Sequence, residues 1–264
     1  MVDVNDINYP IVDVHAHLDH PLIKDIEGVI KRAKAFGVKK IITNGLNYQT
    51  NRLSLDLAKK YDIVEAALGI YPPDALEKEV EEDGSDIELQ PFNIDDELKF
   101  IKKQKPIALG EIGLEYKYGT DFEAQKLLFR KFIDLGAKLK VPLIIHSRKA
   151  EQNVIDILES ANAKKVVLHC FCGKHKLVKR AAENGWHFSI PTNVLRSQHF
   201  QKVVEIVGIN QLLTETDAPY LSPVPGTINE PSFIVGSIKK IAEIKKMTEQ
   251  ETANNIFKNY LQLF

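Results

Sequence analysis

The feature that most restricts the fold of this chain is a regular alternation of short β-rich runs with segments of helical periodicity. Apolar side chains repeat with the period of an amphipathic helix between the runs, most clearly at 123–140 and 232–246. Such alternation favours parallel strands joined by right-handed helical crossovers. The eight β-rich runs lie at residues 11–18, 38–46, 64–71, 106–116, 141–148, 165–173, 186–193 and 211–221.

Eight strand–helix units predict an α/β fold, the (β/α)8 TIM barrel, in which the parallel strands close on themselves. A barrel of this type occupies about 250 residues, so we expect one domain over residues 1–264. The alternative on pattern alone is an open, doubly wound sheet. The glycine-rich dinucleotide fingerprint of that fold is missing after the first run, where His15-Ala-His17 stands.

Charge and cysteine content restrict the environment and the partners. The 35 basic and 36 acidic residues leave a formal net charge of −1, so a polyanion must be held by local contacts. No apolar run approaches the roughly 20 residues that cross a bilayer, and the N-terminal residues lack a signal-peptide pattern. The two cysteines, Cys170 and Cys172, cannot form a disulfide framework. We therefore expect a cytoplasmic protein without a membrane partner.

Titratable side chains gather toward the carboxyl ends of the predicted strands, where barrel enzymes place catalysis. Alternate residues of a strand face the same side. A single histidine there could be a satisfied core residue, but several buried carboxylates need a compensating charge, which a metal supplies. The groups that share a face are Asp13, His15 and His17 in the first run, Glu111 and Glu115 in the fourth, His146 and Arg148 in the fifth, and Glu215 and Asp217 in the eighth, with His169 near the end of the sixth.

Six of these residues form a candidate ligand set, more than one tetrahedral ion requires. Imidazole with carboxylate suits a divalent ion such as Zn, Mn, Fe, Co or Ni better than calcium, and Mg is retained as a sixth candidate. We expect two neighbouring ions, roughly 3.5–4 Å apart, an arrangement suited to hydrolysis. The six candidate ligands are His15, His17, Glu111, His146, His169 and Asp217.

Five motifs, in order along the chain, resemble those of the TatD family of metal-dependent deoxyribonucleases. They are Asp13-Val-His-Ala-His17, Gly110-Glu-Ile-Gly113, His146-Ser-Arg148, His169-Cys-Phe and Glu215-Thr-Asp-Ala-Pro-Tyr-Leu221. The resemblance implies that one metal is bound by His15, His17 and Asp217. It also implies that His146 and His169 bind the other metal, and that Glu111 bridges the two.

The resemblance and the strand parity together suggest roles for the remaining polar residues. Asp217 and Glu111 are the catalytic candidates. Asp217 would orient the attacking water or accept its proton. Arg148 would meet a substrate phosphate or, alternatively, pair with Glu115 across the mouth, so both are candidate substrate-binding residues. Asp13 and Glu215 lie deeper and would orient the imidazoles from behind, or serve as structural hydrogen-bonding groups.

Other residues match no motif or have the wrong parity for the site. Cys170 and Cys172 have the opposite parity to His169, so we expect them to face the helices or a loop rather than a metal. Four further histidines are expected at the surface or in packing: His20, His175, His187 and His199.

The chain departs from the family at the expected substrate side of the site. The family commonly has His-Pro-His after the third strand, where this chain reads Gly69-Ile-Tyr-Pro-Pro73, and basic residues before Asn229-Glu-Pro231 are missing. The following segment, 74–90, holds eight acidic residues and one lysine. It should lie near the mouth, either as a solvated helix or loop or as an acidic rim that repels long polyanions.

The favoured function is hydrolysis of phosphodiester bonds, in DNA ends or short oligonucleotides, by a two-metal mechanism. The expected partner is therefore DNA or a small phosphodiester. A second hypothesis keeps the metals but cleaves an amide, a lactone or an aminoacyl ester. A third is a metal-binding barrel without catalysis. Four basic residues could hold phosphates: Arg148, Lys149, Lys174 and Arg196.

Overall fold

The structure is a computed structural model that describes residues 8–83 and 88–264. Residues 1–7, on which the signal-peptide expectation bears, and residues 84–87 of the acidic segment lie outside the described residues. The strands in the described ranges are β1 Ile11–Ala16, β2 Val38–Asn44, β3 Val64–Leu68, β4 Ala108–Gly113, β5 Leu143–His146, β6 Val166–His169, β7 His187–Pro191 and β8 Leu212–Glu215. The α-helices are α1 Ile26–Ala35, α2 Tyr48–Lys60, α3 Pro73–Asp83, α4 Ile94–Gln104, α5 Phe122–Leu139, α6 Glu151–Ser160, α7 His175–Glu183, α8 Gln198–Ile206, α9 Ile234–Lys245 and α10 Glu249–Leu263.

The eight strands form one parallel sheet in sequence order that closes into a barrel. Neighbouring strands pair from β1 with β2 through β7 with β8. The seam between β1 and β8 is closed by a bridge between Ala16 and Ala218, where the His17 N–H donates to the Ala218 carbonyl at 2.8 Å. The predicted (β/α)8 TIM barrel is confirmed, and the open doubly wound sheet is wrong.

Apolar strands explain why the sheet is buried on both faces. All six residues of β1 and of β4 are buried, as expected where helices cover a parallel sheet from outside. Fully burying each Val, Ile or Leu side chain stabilises the fold by about 1.5–3 kcal/mol. Several helices begin at a side-chain cap, for example at Asn47, whose side chain accepts from the Thr50 N–H at the start of α2.

The predicted strands were too long at their carboxyl ends. β6 ends at His169 rather than at residue 173, and β8 ends at Glu215 rather than at 221. Cys170 and Asp217 have left-handed backbones, with φ of 41° and 59°, and this conformation cannot continue an extended strand. Site residues therefore lie on the last strand residues and on the first residues of the loops.

Asp13 fastens the seam between the first and the last strand. Its buried carboxylate accepts from the Thr216 N–H at 2.9 Å, from the Thr216 hydroxyl at 2.6 Å and from the His15 N–H at 3.2 Å. Burial raises the pKa of Asp13 to about 8, against the lowering effect of these hydrogen bonds. Of the two roles predicted for Asp13, this geometry matches the structural one, because its hydrogen bonds go to backbone and hydroxyl groups and not to an imidazole ring.

Among the described helices, none combines the length and the apolar character needed to cross a lipid bilayer.

Candidate metal centre

Four imidazoles and two carboxylates meet at the carboxyl end of the barrel. They come from β1, β4, β5 and β6 and from the loops that follow β1 and β8. The donor atoms fall into three overlapping groups, each with its atoms within 4.8 Å of one another. The six residues are the predicted set, His15, His17, Glu111, His146, His169 and Asp217.

One side of the cluster combines two imidazoles with two carboxylates. The Nε2 atoms of His15 and His17 are 3.2 Å apart. Each lies close to Glu111 Oε2, at 3.2 and 3.3 Å, and to Asp217 Oδ1, at 3.5 Å in both cases. Imidazole nitrogens and carboxylate oxygens this close together can serve as ligands of one ion.

The other side of the cluster uses the second oxygen of the same glutamate. Glu111 Oε1 lies 2.7 Å from His146 Nδ1 and 3.2 Å from His169 Nε2. His146 Nδ1 is buried and has no hydrogen bond of normal geometry in the described structure. A ligand nitrogen has this arrangement when its lone pair points at a cation.

Glu111 is brought to this position by close contact between strands. Gly113, at the end of β4, has a φ of +146°, and a Cβ there would lie 2.0 Å from the His146 carbonyl oxygen. Only glycine lets β4 and β5 approach in this way. The glycine that ends Gly110-Glu-Ile-Gly113 therefore sets the distance between the two strands that carry Glu111 and His146.

Three of the imidazoles have an oxygen partner on the ring nitrogen that faces away from the cluster. His17 Nδ1 is 3.1 Å from the Asn44 carbonyl oxygen, and His146 Nε2 is 2.8 Å from Glu115 Oε2. His169 Nδ1 lies 3.4 Å from Glu215 Oε2, without a hydrogen bond of normal geometry. Partners of this kind fix the tautomer and orientation of metal-binding histidines. The donor set and its supports thus fit a divalent transition ion.

Glu215 is held in place by a neighbouring strand and loop. Its carboxylate accepts from the Cys170 N–H at 2.9 Å and from the Ser189 hydroxyl on β7. Glu215 is thus fixed beside His169, and its role in orienting that imidazole stays a prediction.

The electrostatics of the cluster keep the carboxylates charged. Burial raises the pKa of Glu111, but His169, His15 and His146 outweigh it and hold the pKa well below its usual range. Burial lowers the pKa of His146, yet its close contacts with the carboxylates of Glu111 and Glu115 raise it to about 9.

A cavity of about 410 Å³ opens over the cluster, a size suited to a small molecule. Its floor includes Glu111, His146, His169 and Asp217. One wall is apolar and consists of Leu46, Leu76, Val80 and Leu89, with Tyr71 beside them.

Helix α3, from the acidic segment, forms part of this wall. Leu76, Glu79 and Val80 line the cavity, whereas Glu77 and Glu81 are exposed on the outer side. The segment lies at the mouth, as predicted. Most of its described acidic residues belong to a solvated helix surface, which was one alternative. Glu79 faces the cavity, as the acidic-rim alternative requires.

Arg148 lines the cavity, but it does not pair with Glu115. Its Nη1 atom is 3.4 Å from Glu79 Oε1, and its guanidinium carbon is 5.1 Å from the centre of the Tyr118 ring. Glu115 is fully buried, hydrogen-bonded to His146 and to the Lys117 N–H at 2.6 Å. The predicted Arg148–Glu115 ion pair is wrong because Glu115 is already occupied below the cavity surface.

The other predicted basic residues lie elsewhere. Within the part of the chain that the structure describes, Arg148 is the one arginine or lysine that lines the cavity. Lys149, Lys174 and Arg196 are exposed outside it, and Arg196 donates to the Ser222 carbonyl.

Sequence reasoning missed Tyr71 and His20. The Tyr71 hydroxyl lies 2.6 Å from Glu79 Oε2, 3.2 Å from Glu115 Oε2 and 3.3 Å from His146 Nε2. His20 is buried, lines the cavity and lies 3.0 Å from the Tyr220 hydroxyl. Two features of the sequence could have indicated these residues. Tyr71 stands where the family commonly has a histidine, and His20 follows His17 by three residues.

Of the two predicted placements of the cysteines, the one facing the helices is wrong, and both residues lie in the loop after β6. Cys170 and Cys172 both line the cavity. The strand ends at His169 and the backbone turns at Cys170, so the two-residue alternation no longer applies. His199 matches its predicted packing role, since its Nε2 lies 3.0 Å from the Phe171 carbonyl and its ring stacks on His175.

A parallel eight-stranded barrel with this histidine–carboxylate cluster defines a metal-dependent hydrolase. Residues 12–264 match the model of the family described as TatD related DNase, and the chain belongs to that family.

Relatives and solved structures match this chain over nearly its whole length. An uncharacterized metal-dependent hydrolase, YabD of Bacillus subtilis, is 33% identical, over 96% of this chain and 98% of the relative. The human deoxyribonuclease TATDN3 is 30% identical, over 96% of this chain and 94% of the relative. The TatD homologue YjjV of Escherichia coli superposes with a TM-score of 0.82 at 27% identity, over 96% of this chain and 97% of that structure.

Proposed function

We propose that this protein hydrolyses phosphodiester bonds in DNA ends or short oligonucleotides with two divalent metal ions. One observation carries the proposal: the two oxygens of Glu111 face two different groups of imidazole nitrogens. A carboxylate shared in this way is the usual support of a two-metal site for phosphoryl transfer. The name of the human relative, a deoxyribonuclease, supports the choice of bond.

In this proposal His15, His17 and Asp217 would hold one ion and His146 and His169 the other, and Glu111 would be shared between them. The ions are drawn from Zn, Mn, Mg, Ni, Co and Fe, which accept nitrogen and oxygen ligands to differing degrees. When bound, such ions lower the pKa of a water and offset negative charge on phosphoryl oxygens.

Asp217 is the proposed proton acceptor. Burial raises the pKa of Asp217, but a hydrogen bond with His17 and the charges of His169 and His15 hold it below its usual range, so the group is ionised at neutral pH. Its side chain is 15% exposed, against 5% for Glu111, and it lines the cavity. Asp217 is thus the ionised carboxylate of the cluster best placed to take a proton from water at the cavity floor.

The other polar residues position these groups. Glu115 and Glu215 hold the rings of His146 and His169 from behind, and Asn44 does the same for His17. Arg148 contacts a phosphate oxygen of the substrate, since its guanidinium is at the cavity wall. Glu115 is therefore a positioning residue and not a substrate contact.

We also propose a single-domain chain that acts in the cytoplasm. A single barrel, from β1 to the loop after β8, supplies all six residues of the cluster. Neither Cys170 nor Cys172 forms a disulfide in the described structure, which suits a reducing compartment.

The test is a substrate panel on protein reconstituted with each of the six metals. The panel contains a thymidine dinucleotide, a short single strand, a carboxylic ester, a lactone, an amide and an aminoacyl ester. We expect metal-dependent turnover of the two phosphodiester substrates and its loss in Glu111→Gln. Turnover of the esters or amides without phosphodiester cleavage would refute the proposal, and so would full activity with one tightly bound ion per chain.

A further inference from the structure

We propose that Glu79 makes the site selective for substrates with a single phosphate at the metal centre and an uncharged group beside it. A second phosphate next to the scissile one is disfavoured. This inference rests on the proposed phosphodiesterase function, and it identifies the preferred substrates as dinucleotide-like phosphodiesters rather than longer strands.

Glu79 is singled out by its direction. Of the acidic side chains described on α3, Glu77, Glu81 and Glu82 are exposed, and Asp74 accepts from the backbone N–H groups of Thr120 and Asp121. Glu79 lines the cavity together with the metal-centre residues. The acidic segment therefore presents one of its described carboxylates to a bound substrate.

Two contacts fix that carboxylate. The Tyr71 hydroxyl donates to Oε2 at 2.6 Å, and Arg148 lies 3.4 Å from Oε1. Tyr71 is itself buried at the base of α3. The carboxylate is thus held at the cavity wall and cannot swing freely into solvent.

The contact with Arg148 has a direct electrostatic consequence. Arg148 is the single arginine or lysine among the described cavity-lining residues, so Glu79 offsets the one fixed cation available to a neighbouring phosphate. A like charge nearby disfavours binding of the phosphate, and the repulsion is stronger near a protein surface than in bulk water. The phosphate at the cluster is bound by the metals, whereas an adjacent phosphate meets the carboxylate without such compensation.

The surface around Glu79 suits an uncharged group. Leu76 and Val80 flank it on α3, and Leu46 and Leu89 belong to the same apolar cluster. Apolar contact of this kind accepts the flat face of a base or another aromatic ring without any charge requirement. Glu151 also lines the cavity, but no ion pair joins it to Arg148 in the described structure.

The experiment compares Glu79→Gln with Glu77→Gln, which removes the same charge from the exposed side of the same helix. The amide oxygen of glutamine can still accept from Tyr71, so the local hydrogen bond is retained. The substrates are thymidylyl-thymidine, with one phosphodiester, and a hexathymidylate without terminal phosphates. We expect Glu79→Gln to raise kcat/KM for the hexanucleotide by about threefold to tenfold at low salt, mainly through KM. The dinucleotide should change less than twofold, and Glu77→Gln should leave both unchanged.

A second measurement needs no variant. Raising the ionic strength from about 0.01 M to about 0.1 M shortens the screening length from about 30 Å to about 10 Å. In the wild-type protein the ratio of kcat/KM for the hexanucleotide to that for the dinucleotide should rise, because repulsion by Glu79 is screened. Ordinary counterion release would make the ratio fall.

The outcomes separate this inference from the proposed function. Equal changes on both substrates in Glu79→Gln, no change on either, or a ratio that falls with salt in the wild type would each overturn the role of Glu79. Absence of cleavage of either substrate by metal-loaded wild-type protein would instead overturn the phosphodiesterase proposal itself.

Discussion

His146 Nε2 lies 2.8 Å from the Oε2 atom of Glu115, a carboxylate with no exposed surface. This contact leaves Nδ1 of the same ring directed at Glu111, 2.7 Å away. The orientation of one ligand in the cluster is therefore set by a residue beneath the cavity.

Replacing Glu115 with glutamine should weaken metal binding on the His146 side of the cluster. The amide has one acceptor oxygen, for which His146 and the backbone N–H of Lys117 would compete. Loss of such a support lowers metal affinity by about 10- to 100-fold. Competition with a chromophoric chelator measures the affinity, with Glu77→Gln as the control. Wild-type affinity in a folded Glu115→Gln protein would contradict the assignment.

Asp217→Asn should retain the fold and lose hydrolysis. The φ of 59° at this position suits asparagine almost as well as aspartate, so little backbone strain is added. Loss of the proton acceptor lowers kcat by about 100- to 10,000-fold. Kinetics are measured together with metal content and thermal unfolding. A variant with normal metal content and normal kcat would show that another group accepts the proton.

Arg148→Gln should raise KM for short oligonucleotides, which have a phosphate next to the scissile one, more than it lowers kcat. The guanidinium lines the cavity, and a hydrogen bond from a charged donor to phosphate at a partly exposed site is worth about tenfold in kcat/KM. Lys176→Gln, an exposed change of the same charge outside the cavity, is the matched control. Equal effects of the two substitutions would mean that only the overall charge matters.

His187 should make stability depend on pH below neutrality. Burial lowers the pKa of His187 beneath the ordinary value of 6.5, and its Nδ1 has no hydrogen-bond partner in the described structure. Between the folded pKa and 6.5 the unfolded chain binds more protons than the fold. The contribution of this neutral group is therefore complete above pH 6.5 and decreases as pH falls through that window.

Urea unfolding of the wild type and of His187→Gln at pH 7.5, 6.5 and 5.5 tests this expectation. The free energy of unfolding of the variant should fall less steeply between pH 6.5 and 5.5, because one titrating group has been removed. Parallel pH curves for the two proteins would exclude a contribution from His187.

The barrel and the composition of the cluster were predictable because both follow from local periodicity. The alternation of runs specifies β and α units, and two-residue parity brought His15 and His17 together without any knowledge of tertiary contacts. Beyond the last residue of a strand, the two-residue alternation no longer predicted which way a side chain faces. Cys170 turns the backbone with a positive φ, and the cysteines then face the cavity instead of the helices.

The substrate side of the site was less predictable for another physical reason. Glu79 and Arg148 approach each other from a helix after β3 and a loop after β5. No periodic pattern in the sequence predicts the position of α3 relative to the mouth of the barrel. Its position depends on contacts such as Asp74 with Thr120 and Gln125, which become visible only when the tertiary structure is known.

The seam between β1 and β8 also determines when during folding the site is completed. Asp13 and Thr216 are 203 positions apart in the chain, and their contact brings His15 and His17 beside Asp217. Contacts of such long sequence separation form late, since the intervening chain must be ordered first. A chain still emerging from the ribosome lacks Asp217 until almost the whole barrel has been synthesised, so hydrolytic activity is withheld from the incomplete polypeptide.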